Sequence, residues 1–361
     1  MTLGLKKNWQ QVAKRILLYH LKFIGVFHLC RFYFSHRTRI LCYHGFNVKD
    51  ESTWNPGTFI RKEVFESRIR QLRRLGATFI SLDNVLEPQK HKLPVVLTFD
   101  DGFASTIEQG LPILKKHKIP ATLYVISNYQ QTGTPIFEHH FRYILWKSGT
   151  PPSLNWDEIG IETPWKGVEK IASQERVWQI IQYFELEKTA KERVAFMAAI
   201  EKIVGCALSK KQLEDSFTLA SDAQLHASQA AKLDVQLHTH RHIFPFDTEG
   251  CRYEIDQNRA VLKNFQPGKL HHFCYPKGIY PKSQLHLLET LGIKTATTLR
   301  PGIVGKDDNP LELPRILDSG EAISDIEFEA HVCGVSDLLR FFKNALLPFG
   351  EKHGGAQDVA I

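Results

Sequence analysis

Residues 94–102 read PVVLTFDDG, an apolar, β-branched run that ends in two adjacent carboxylates and a glycine. Such a run is typical of a buried strand, and successive strand side chains point in opposite directions. At the strand's end Asp100 and Asp101 can therefore diverge, one toward a metal ion and the other toward a water molecule. Gly102 permits a sharp turn directly after them. Alone, Asp-Asp-Gly would equally suit a polar turn between a strand and a helix, so its meaning depends on the rest of the chain.

The run at 94–99 is one of several short strand-like segments. The others are 39–43, 78–82, 121–126, 234–238, 271–276, 294–299 and 312–317. Amphipathic stretches such as 62–75 and 282–291 lie between them, and this alternation is typical of an α/β fold with a parallel sheet, open or closed into a barrel. In α/β barrels the loops after the strands converge on one cavity, so catalytic groups are expected at the carboxyl ends of strands.

The segment at about 128–232 interrupts the alternation. It is mostly helical in pattern, especially over 168–204, and rich in aromatic residues. It is predicted to be an insertion between two strands that can cover the site, and its aromatic side chains suit either sugar stacking or a core. The barrel domain is expected to span 38–345, and 346–361 is predicted to be a disordered tail.

A histidine cluster, His-Thr-His-Arg-His at 238–242, also ends a strand-like run. His238 and His242, four residues apart, can turn two imidazoles toward one ion. Histidine is abundant, at 17 of 361 residues, so this spacing alone is weak evidence. Together with one aspartate, however, the two histidines would form a three-ligand set with open positions, which is typical of a catalytic metal site.

Two further strand ends carry side chains suited to an active site. In 273–278, Tyr275 and Pro276 can form a pocket wall, and backbone N–H groups there can face a developing oxyanion. In 41–45, His44 can reach the cavity as a proton donor. Each segment has a plainer interpretation, a turn in the first case and a structural histidine in the second.

Charge and cysteine content exclude several classes of protein. The net charge is +7, but residues 1–49 hold nine Lys and Arg and no acidic residue, which leaves 37 of the 46 basic residues against 39 acidic ones. No basic stripe recurs in the body, so a nucleic-acid partner is not expected. The six cysteines are scattered without a CxxC pair. They indicate reduced thiols and a cytoplasmic protein, with neither a disulfide framework nor a zinc ribbon.

The basic N-terminal region, 1–37, is predicted to form an amphipathic helix. Its longest uncharged run, 23–30, is far shorter than the roughly 20 residues that span a bilayer. One helical face carries Val12, Ile16, Tyr19, Phe23 and Cys30, and another carries Lys7, Lys14, Arg15 and Lys22. Such a helix can lie on the inner membrane surface as a peripheral contact, or it can pack its apolar face on the barrel. Both interpretations stay open.

The motifs at 98–102 (TFDDG) and 238–242 (HTHRH) resemble the first and second motifs of the polysaccharide deacetylase family, carbohydrate esterase family four. The resemblance covers about 38–320 apart from the insertion. It implies a distorted (β/α) barrel of seven or eight strands with a long helical insertion. It also implies a divalent-metal-dependent hydrolase of linear amide C–N bonds that removes acetyl groups.

The resemblance also implies roles for individual residues. These are Asp100 as general base, Asp101, His238 and His242 as metal ligands, the backbone at Tyr275 beside Pro276 as oxyanion support, and Arg315 as the arginine that orients the base. The chain differs from the family pattern in two ways. Cys274 stands where many members have arginine, and the late Leu-x-His motif that supplies the general acid is not evident. The Tyr43–His44 pair and the YPxGxY form at 275–280 resemble instead the circularly permuted branch with poly-N-acetylglucosamine deacetylases, which makes His44 the predicted general acid.

The sequence therefore predicts removal of the N-acetyl group from an amino sugar, such as N-acetylglucosamine, in a cell-envelope glycan, exopolysaccharide or lipid-linked precursor. One divalent ion is expected, zinc first, although cobalt, nickel or iron suits the same ligands. The oligomeric state stays open. Two alternatives are kept: a deformylase or amidase acting on a non-acetyl or non-sugar amide, and a catalytically silent carbohydrate-binding protein.

Overall fold

A computed structural model describes residues 2–87, 92–229, 233–266 and 268–346 of the chain. Within these ranges there are twelve strands and fifteen α-helices. The strands are β1 (Arg39–Tyr43), β2 (Gly45–Phe46), β3 (Phe59–Ile60), β4 (Thr78–Phe79), β5 (Pro94–Phe99), β6 (Ala121–Val125), β7 (Ser153–Asn155), β8 (Val168–Lys170), β9 (Leu233–Leu237), β10 (His272–Cys274), β11 (Thr295–Pro301) and β12 (Leu313–Leu317). The helices are α1 (Thr2–Phe23), α2 (Val26–Tyr33), α3 (Glu51–Trp54), α4 (Lys62–Arg74), α5 (Leu111–His117), α6 (Ser127–Thr132), α7 (Phe137–Ser148), α8 (Gln174–Glu187), α9 (Ala190–Val204), α10 (Lys210–Phe217), α11 (Asp222–Gln229), α12 (Thr248–Leu262), α13 (Leu285–Thr290), α14 (Asp325–Cys333) and α15 (Val335–Leu346).

Seven parallel strands close into a barrel in the order β1, β12, β11, β10, β9, β6 and β5. The ring closes because β1 also pairs with β5, from Arg39 opposite Val95 to Tyr43 opposite Phe99. An eighth strand, β4, pairs with the start of β5 outside the ring. The predicted barrel of seven or eight strands with a helical insertion is therefore confirmed.

The barrel strands are buried on both faces, which explains their nearly continuous apolar sequences. Every residue of β5 is buried, as is every residue of β1 and β6. The amino-terminal mouth of the barrel is filled by the segment after β4, where Ile80, Leu82 and Val85 pack against interior residues such as Val96 and Tyr124. The predicted strand at 78–82 is thus only two residues long, and the rest of that segment plugs the barrel floor.

The insertion lies between β6 and β9 and contains α6 to α11 with a small antiparallel pair, β7 and β8. Its aromatic side chains form a core of their own, including Phe137, Phe141, Phe184, Phe196 and Trp156. The sequence left open whether these aromatic side chains stack on sugars or form a core. The five named here form a core. Residues 230–232, at the end of the predicted insertion, lie outside the described residues.

The two N-terminal helices pack on α14 through a small apolar cluster that includes Leu18, Phe27 and Cys30. Ion pairs reinforce the contact: Arg15 and Lys14 reach Glu327, and Lys22 reaches Glu329. The basic side of α1 therefore faces the body. Its predicted apolar face is mostly exposed, with Val12, Ile16, Tyr19 and Phe23 between 41% and 91% accessible.

None of the helices in the described ranges combines the length and the apolar character that crossing a membrane requires. The predicted tail at 346–361 lies outside the described residues except for Leu346.

Candidate active site

The ends of the barrel strands bring the predicted residues to one place. Asp100 and Asp101 follow β5, His44 follows β1 and His238 follows β9. Arg315 lies in the middle of β12 and reaches the same cavity with its long side chain. The strands are parallel, so these groups lie at the carboxyl-terminal mouth of the barrel. Enzymes with α/β barrels have their active sites at that end.

Asp101, His238 and His242 converge as a candidate metal centre. Asp101 Oδ1 lies 3.3 Å from His238 Nε2 and 3.3 Å from His242 Nε2. All three residues are buried. Ligand atoms about 2.1 Å from a tetrahedral zinc ion are separated by about 3.3 Å, so the observed spacing fits such an ion.

The backbone at this centre is unusual. Asp101 has a φ of 69° and His242 a φ of 65°, both in the left-handed region that non-glycine residues seldom occupy. Conformations of this kind persist where the surrounding structure imposes them, and they concentrate at functional sites. The two residues are thus held in the positions that bring their side chains together.

His238 is oriented for ligation by its second ring nitrogen. His238 Nδ1 donates to the carbonyl oxygen of Cys274 at 2.8 Å, which fixes the tautomer and leaves the Nε2 lone pair facing Asp101. The backbone N–H of His238 donates to Asn258 Oδ1 at 2.9 Å and so holds the strand end in place. The donor set therefore fits a divalent ion in both atom type and orientation.

Asp100 and Arg315 form a bidentate ion pair deep in the cavity. Asp100 Oδ1 accepts from Arg315 Nη1 and Asp100 Oδ2 from Arg315 Nη2, each at 2.7 Å. Burial alone would raise the pKa of Asp100, but the Arg315 guanidinium outweighs it and lowers the pKa to about 2. The thiols of Cys42 and Cys274 also approach Oδ2, at 3.6 and 3.4 Å. Asp100 is therefore ionised and rigidly placed.

His44 lies beside this pair. Its Nε2 is 3.9 Å from Asp100 Oδ2, and Thr106 Oγ1 donates to its backbone carbonyl at 2.7 Å. His44 Nδ1 is buried and has no hydrogen-bond partner in the described part of the chain. Burial lowers the pKa of His44, although the charges of Asp101 and Asp100 oppose this effect. The imidazole thus sits next to Asp100 with one nitrogen unpaired.

Tyr275 and Pro276 are placed differently from the catalytic cluster. The backbone N–H of Tyr275 donates to the carbonyl of Thr297 at 3.2 Å as part of the sheet, so it is already engaged. An oxyanion role for this amide would require that bond to break. Pro276 lines a cavity of about 90 Å³ that also touches His242 and Phe244. Pro276 therefore forms a pocket wall, as the sequence suggested.

His139 was not singled out by the sequence, yet it reaches the metal centre from helix α7. Its Nε2 lies 3.4 Å from Asp101 Oδ2, the oxygen that faces away from His238 and His242. Two adjacent histidines in 137–141 (FEHHF) were the only available signal, and nothing in their spacing pointed to the site. The insertion thus contributes directly to the centre.

Lys277 joins the insertion to the rim of the site. Its Nζ lies 3.0 Å from Glu138 of α7 and 2.7 Å from Glu185 of α8, and 4.6 Å from the Trp178 ring centroid. Burial alone would raise the pKa of Glu138, but Lys277 outweighs it and lowers the pKa to about 2. The buried cluster therefore holds two insertion helices against the turn after β10.

Comparisons with known proteins agree with this arrangement. Residues 87–174 match the family model described as polysaccharide deacetylase. The poly-β-1,6-N-acetyl-D-glucosamine N-deacetylase of Staphylococcus aureus strain MSSA476 is 38% identical over 74 residues, which is 19% of this chain and 26% of that protein. The match thus spans about a quarter of that relative's length. The resemblance inferred from the motifs is confirmed.

Solved structures share the fold. IcaB from Ammonifex degensii has a TM-score of 0.51 and 18% identity, with 83% of this chain and 98% of that chain covered. The deacetylase PplD of Streptococcus pyogenes, in complex with acetate, has a TM-score of 0.50 and 18% identity over 78% of this chain and 92% of that chain. At such identities the likeness shows the fold alone.

Proposed function

We propose that the chain is a divalent-metal-dependent hydrolase that removes the N-acetyl group from an amino sugar of a cell-envelope glycan, an exopolysaccharide or a lipid-linked precursor. The match of residues 87–174 to the polysaccharide deacetylase family model supports this proposal. The observation that carries the proposal is the convergence of His238 Nε2 and His242 Nε2, each 3.3 Å from Asp101 Oδ1. This centre lies beside the ion pair of Asp100 and Arg315. A sugar-binding protein without activity would need no such acid, base and ligand set.

Asp101, His238 and His242 would hold the ion. Two imidazoles and one carboxylate suit zinc, and also cobalt, nickel or iron. When bound, the ion supplies Lewis-acid stabilisation of the acetyl oxygen and makes water a stronger nucleophile near neutral pH. His139 donates to the far oxygen of Asp101 in this arrangement and keeps the near oxygen turned toward the two imidazoles.

Asp100 is the proposed general base. Arg315 keeps its carboxylate ionised and fixes its plane, so it is ready to accept a proton from the attacking water. A carboxylate has about four lone-pair positions. Arg315 takes one on each oxygen and the thiols of Cys42 and Cys274 approach Oδ2, so the remaining position for a proton is on Oδ1. The exclusion of bulk water around the buried pair strengthens these electrostatic interactions.

His44 is the proposed general acid. An amine leaves only when its nitrogen is protonated, and His44 Nε2 lies 3.9 Å from Asp100 Oδ2, close enough to act on the same scissile bond. A substrate amide bound against both Asp100 and His44 would receive a proton from His44 Nε2 as the carbon–nitrogen bond breaks. Proton removal and proton delivery thus fall to two neighbouring residues.

Acetate release from a panel of acetamido sugars tests the proposed function. Zinc-loaded protein should release acetate from poly-β-1,6-N-acetylglucosamine, its oligomers or a lipid-linked N-acetylglucosamine, and an Asp101→Ala variant should release none. Release of formate from N-formyl substrates, with no acetate from any acetylated sugar, would identify a deformylase. Tight sugar binding without any acyl release, unchanged in Asp100→Asn, would identify a binding protein.

Location at a membrane surface is the second part of the proposal. Helices α1, α2 and α15 expose many large apolar side chains, and α2 packs against both α1 and α15. We call this exposed apolar surface the helical face. The helical face consists of Trp9, Val12, Ile16, Leu17, Tyr19, Phe23, Leu29, Phe32, Tyr33, Leu339, Phe341 and Phe342. Arg31, Arg340 and Lys343 lie on the same helices. Apolar surface flanked by cations fits anionic lipid, where a lipid-linked substrate would also lie.

Vesicle sedimentation tests the membrane contact. The protein should sediment with vesicles containing phosphatidylglycerol and much less with pure phosphatidylcholine, and the double variant Ile16→Glu, Phe23→Glu should stay in solution. The matched control is Val168→Glu, an equally exposed apolar residue on the insertion. Self-association of the wild type without any vesicle binding would assign the helical face to a second copy instead.

A further inference from the structure

A second group of metal-binding side chains lies at the opposite end of the barrel from the active site. Asp83 Oδ1 is 3.0 Å from His271 Nε2 and 3.1 Å from His272 Nε2. We propose that Asp83, His271 and His272 form a second divalent-cation site at the amino-terminal mouth of the barrel, of the type that zinc occupies. The site is independent of the proposed deacetylase function, because it shares no residue with the catalytic centre.

The three donor atoms are of the right kind and converge on one point. Two imidazole nitrogens and one carboxylate oxygen all lie within 4.8 Å of one another. The two shorter separations, 3.0 and 3.1 Å, are close to the edge of about 3.3 Å expected between ligands of a tetrahedral zinc ion. They also resemble the 3.3 Å separations at the active centre. The two clusters thus have the same composition and nearly the same dimensions.

His272 is held in the state that binds metal. His272 Nδ1 lies 2.6 Å from Thr295 Oγ1, which can accept a proton from it and so leave the Nε2 lone pair free toward Asp83. A hydrogen-bonded second nitrogen of this kind is the usual support of a metal-binding histidine.

The backbone around the site is equally constrained. Asp83 lies on a 3₁₀ turn, Leu82–Asn84. Its backbone N–H donates to Ser81 Oγ at 3.2 Å, which caps the start of the turn. Gln236 Oε1 accepts from the backbone N–H groups of both histidines, at 3.1 and 2.9 Å. The ligands are therefore preorganised by contacts that do not depend on the ion.

The surroundings carry excess negative charge. Asp234 is tied to Gln236 and Gln266 through Oδ1, while its Oδ2 is buried without a hydrogen-bond partner among the residues described. Burial and the charge of Asp83 raise the pKa of Asp234 to about 6, because no described residue near its buried Oδ2 compensates the negative charge. Exposed Lys294 supplies one positive charge near His272. A divalent ion between the histidines would offset the remaining repulsion.

A plain hydrogen-bonded cluster, in which both imidazoles donate to Asp83, is the competing interpretation. Such a cluster would explain the two short distances to Asp83. It would leave the negative charge of Asp234 uncompensated, and it would not require the Asp83 side chain to be accessible to solvent. The Asp83 side chain is 60% exposed, so an ion can enter from solvent, whereas His272 is 2% exposed and forms the inner wall. An ion there would fasten the floor segment after β4 to β10 across the barrel.

Metal stoichiometry tests the second site. Full-length protein without an affinity tag is stripped with a chelator, saturated with zinc, gel-filtered and measured by inductively coupled plasma mass spectrometry. Wild type should hold two zinc ions per chain. Asp83→Ala should hold one and keep acetate release, Asp101→Ala should hold one and lose acetate release, and the double variant should hold none. His286→Ala, an exposed histidine paired with Glu289, is the matched control.

The outcomes separate this site from the catalytic one. One zinc in wild type that disappears in Asp101→Ala, or two that remain in Asp83→Ala, would overturn the second site and leave the proposed function untouched. One zinc that survives Asp101→Ala and is lost in Asp83→Ala would establish the second site and remove the proposed catalytic centre. His271→Gln, with a Co²⁺ absorption titration in the Asp101→Ala background, checks the assignment in a second way.

Discussion

Arg315 and Asp100 show what single residues do in this protein. Each carries a full charge in a position that is at most 2% exposed, and the bidentate pair is what makes that burial tolerable. Removing one partner of a buried pair leaves an uncompensated charge, which costs far more than the pair itself contributes. The same pairing keeps Asp100 ionised for its proposed role as base.

We expect Arg315→Met to lower the free energy of unfolding at pH 7 by about 3–5 kcal/mol. The native pKa of Asp100 is about 2, below that of an unfolded aspartate. The contribution of ionised Asp100 to the stability of the fold is therefore present above about pH 4 and is lost as the pH falls toward 2. The cost of the substitution should accordingly shrink between pH 7 and pH 3, as measured by denaturant unfolding. Arg300→Met, which breaks an exposed pair with Asp308, should cost under about 1 kcal/mol at either pH.

His44→Gln tests the proposed acid. The variant should lose about 10²- to 10⁴-fold in kcat, because the leaving amine would no longer receive a proton from a positioned donor. Its zinc content should equal that of wild type, since His44 is not among the proposed ligands. Steady-state acetate release and metal analysis measure the two quantities, and unchanged turnover would assign the acid to another residue.

His139→Gln separates ligand positioning from direct catalysis. Loss of its hydrogen bond to Asp101 Oδ2 should weaken zinc binding about 10- to 100-fold, the usual effect of removing such a supporting contact. Saturating zinc should restore most of kcat. The matched control is the adjacent His140→Gln, which pairs with Glu201 and should leave zinc affinity unchanged. A kcat that stays low at saturating zinc would give His139 a direct catalytic role.

At the scale of elements, Lys277 is one of the contacts that fasten the insertion to the barrel, beside the backbone bridge between Phe103 and Leu219. Lys277 lies in a turn with a φ of 59° and neutralises carboxylates from two different helices, α7 and α8. Glu185 is fully buried, and the aromatic core of the insertion packs on the same two helices. The position of α7, and with it that of His139, therefore depends on a contact outside the catalytic centre.

Lys277→Met should loosen the insertion while the barrel remains folded. Glu185, which is fully buried, would lose its counter-charge at a cost of about 3–5 kcal/mol, while Glu138 would keep its ion pair with Arg142. Amide hydrogen exchange should rise in α7 and α8 at pH 7 and stay at wild-type levels in β5 and β6. Equal acceleration in the barrel strands would show that the two cores unfold as one unit.

At the scale of the whole molecule, one ion site is proposed at the carboxyl-terminal mouth of the barrel and a second one at its floor. Ligands that bind only the folded state raise its stability by mass action. Chelation should therefore abolish acetate release and lower the thermal midpoint, and added zinc or cobalt should restore both. In Asp83→Ala the rate should respond as in wild type while the midpoint shift becomes smaller. A midpoint insensitive to chelation in wild type would contradict both sites.

The sequence by itself determined the barrel fold and most of the candidate site residues. Strands buried on both faces must be nearly continuous apolar runs, so their ends are visible, and the groups that follow them in a parallel barrel share one mouth. This reasoning singled out Asp100, Asp101, His238, His242 and His44 as candidates, and the family resemblance gave them their predicted roles. Arg315 came from the family resemblance, because nothing in the sequence around it indicates a catalytic residue.

Only the tertiary structure decided which distant groups meet. Arg315 contacts Asp100 across 215 positions of sequence, and His139 reaches Asp101 from an insertion whose packing no local pattern specifies. The backbone N–H of Tyr275 donates a hydrogen bond to Thr297 on the neighbouring strand. The basic side of α1 faces the body because Glu327 and Glu329 on α14 form ion pairs with it. Such contacts depend on ring closure and on the packing of elements far apart in sequence, and neither is encoded in the spacing of residues along a single segment.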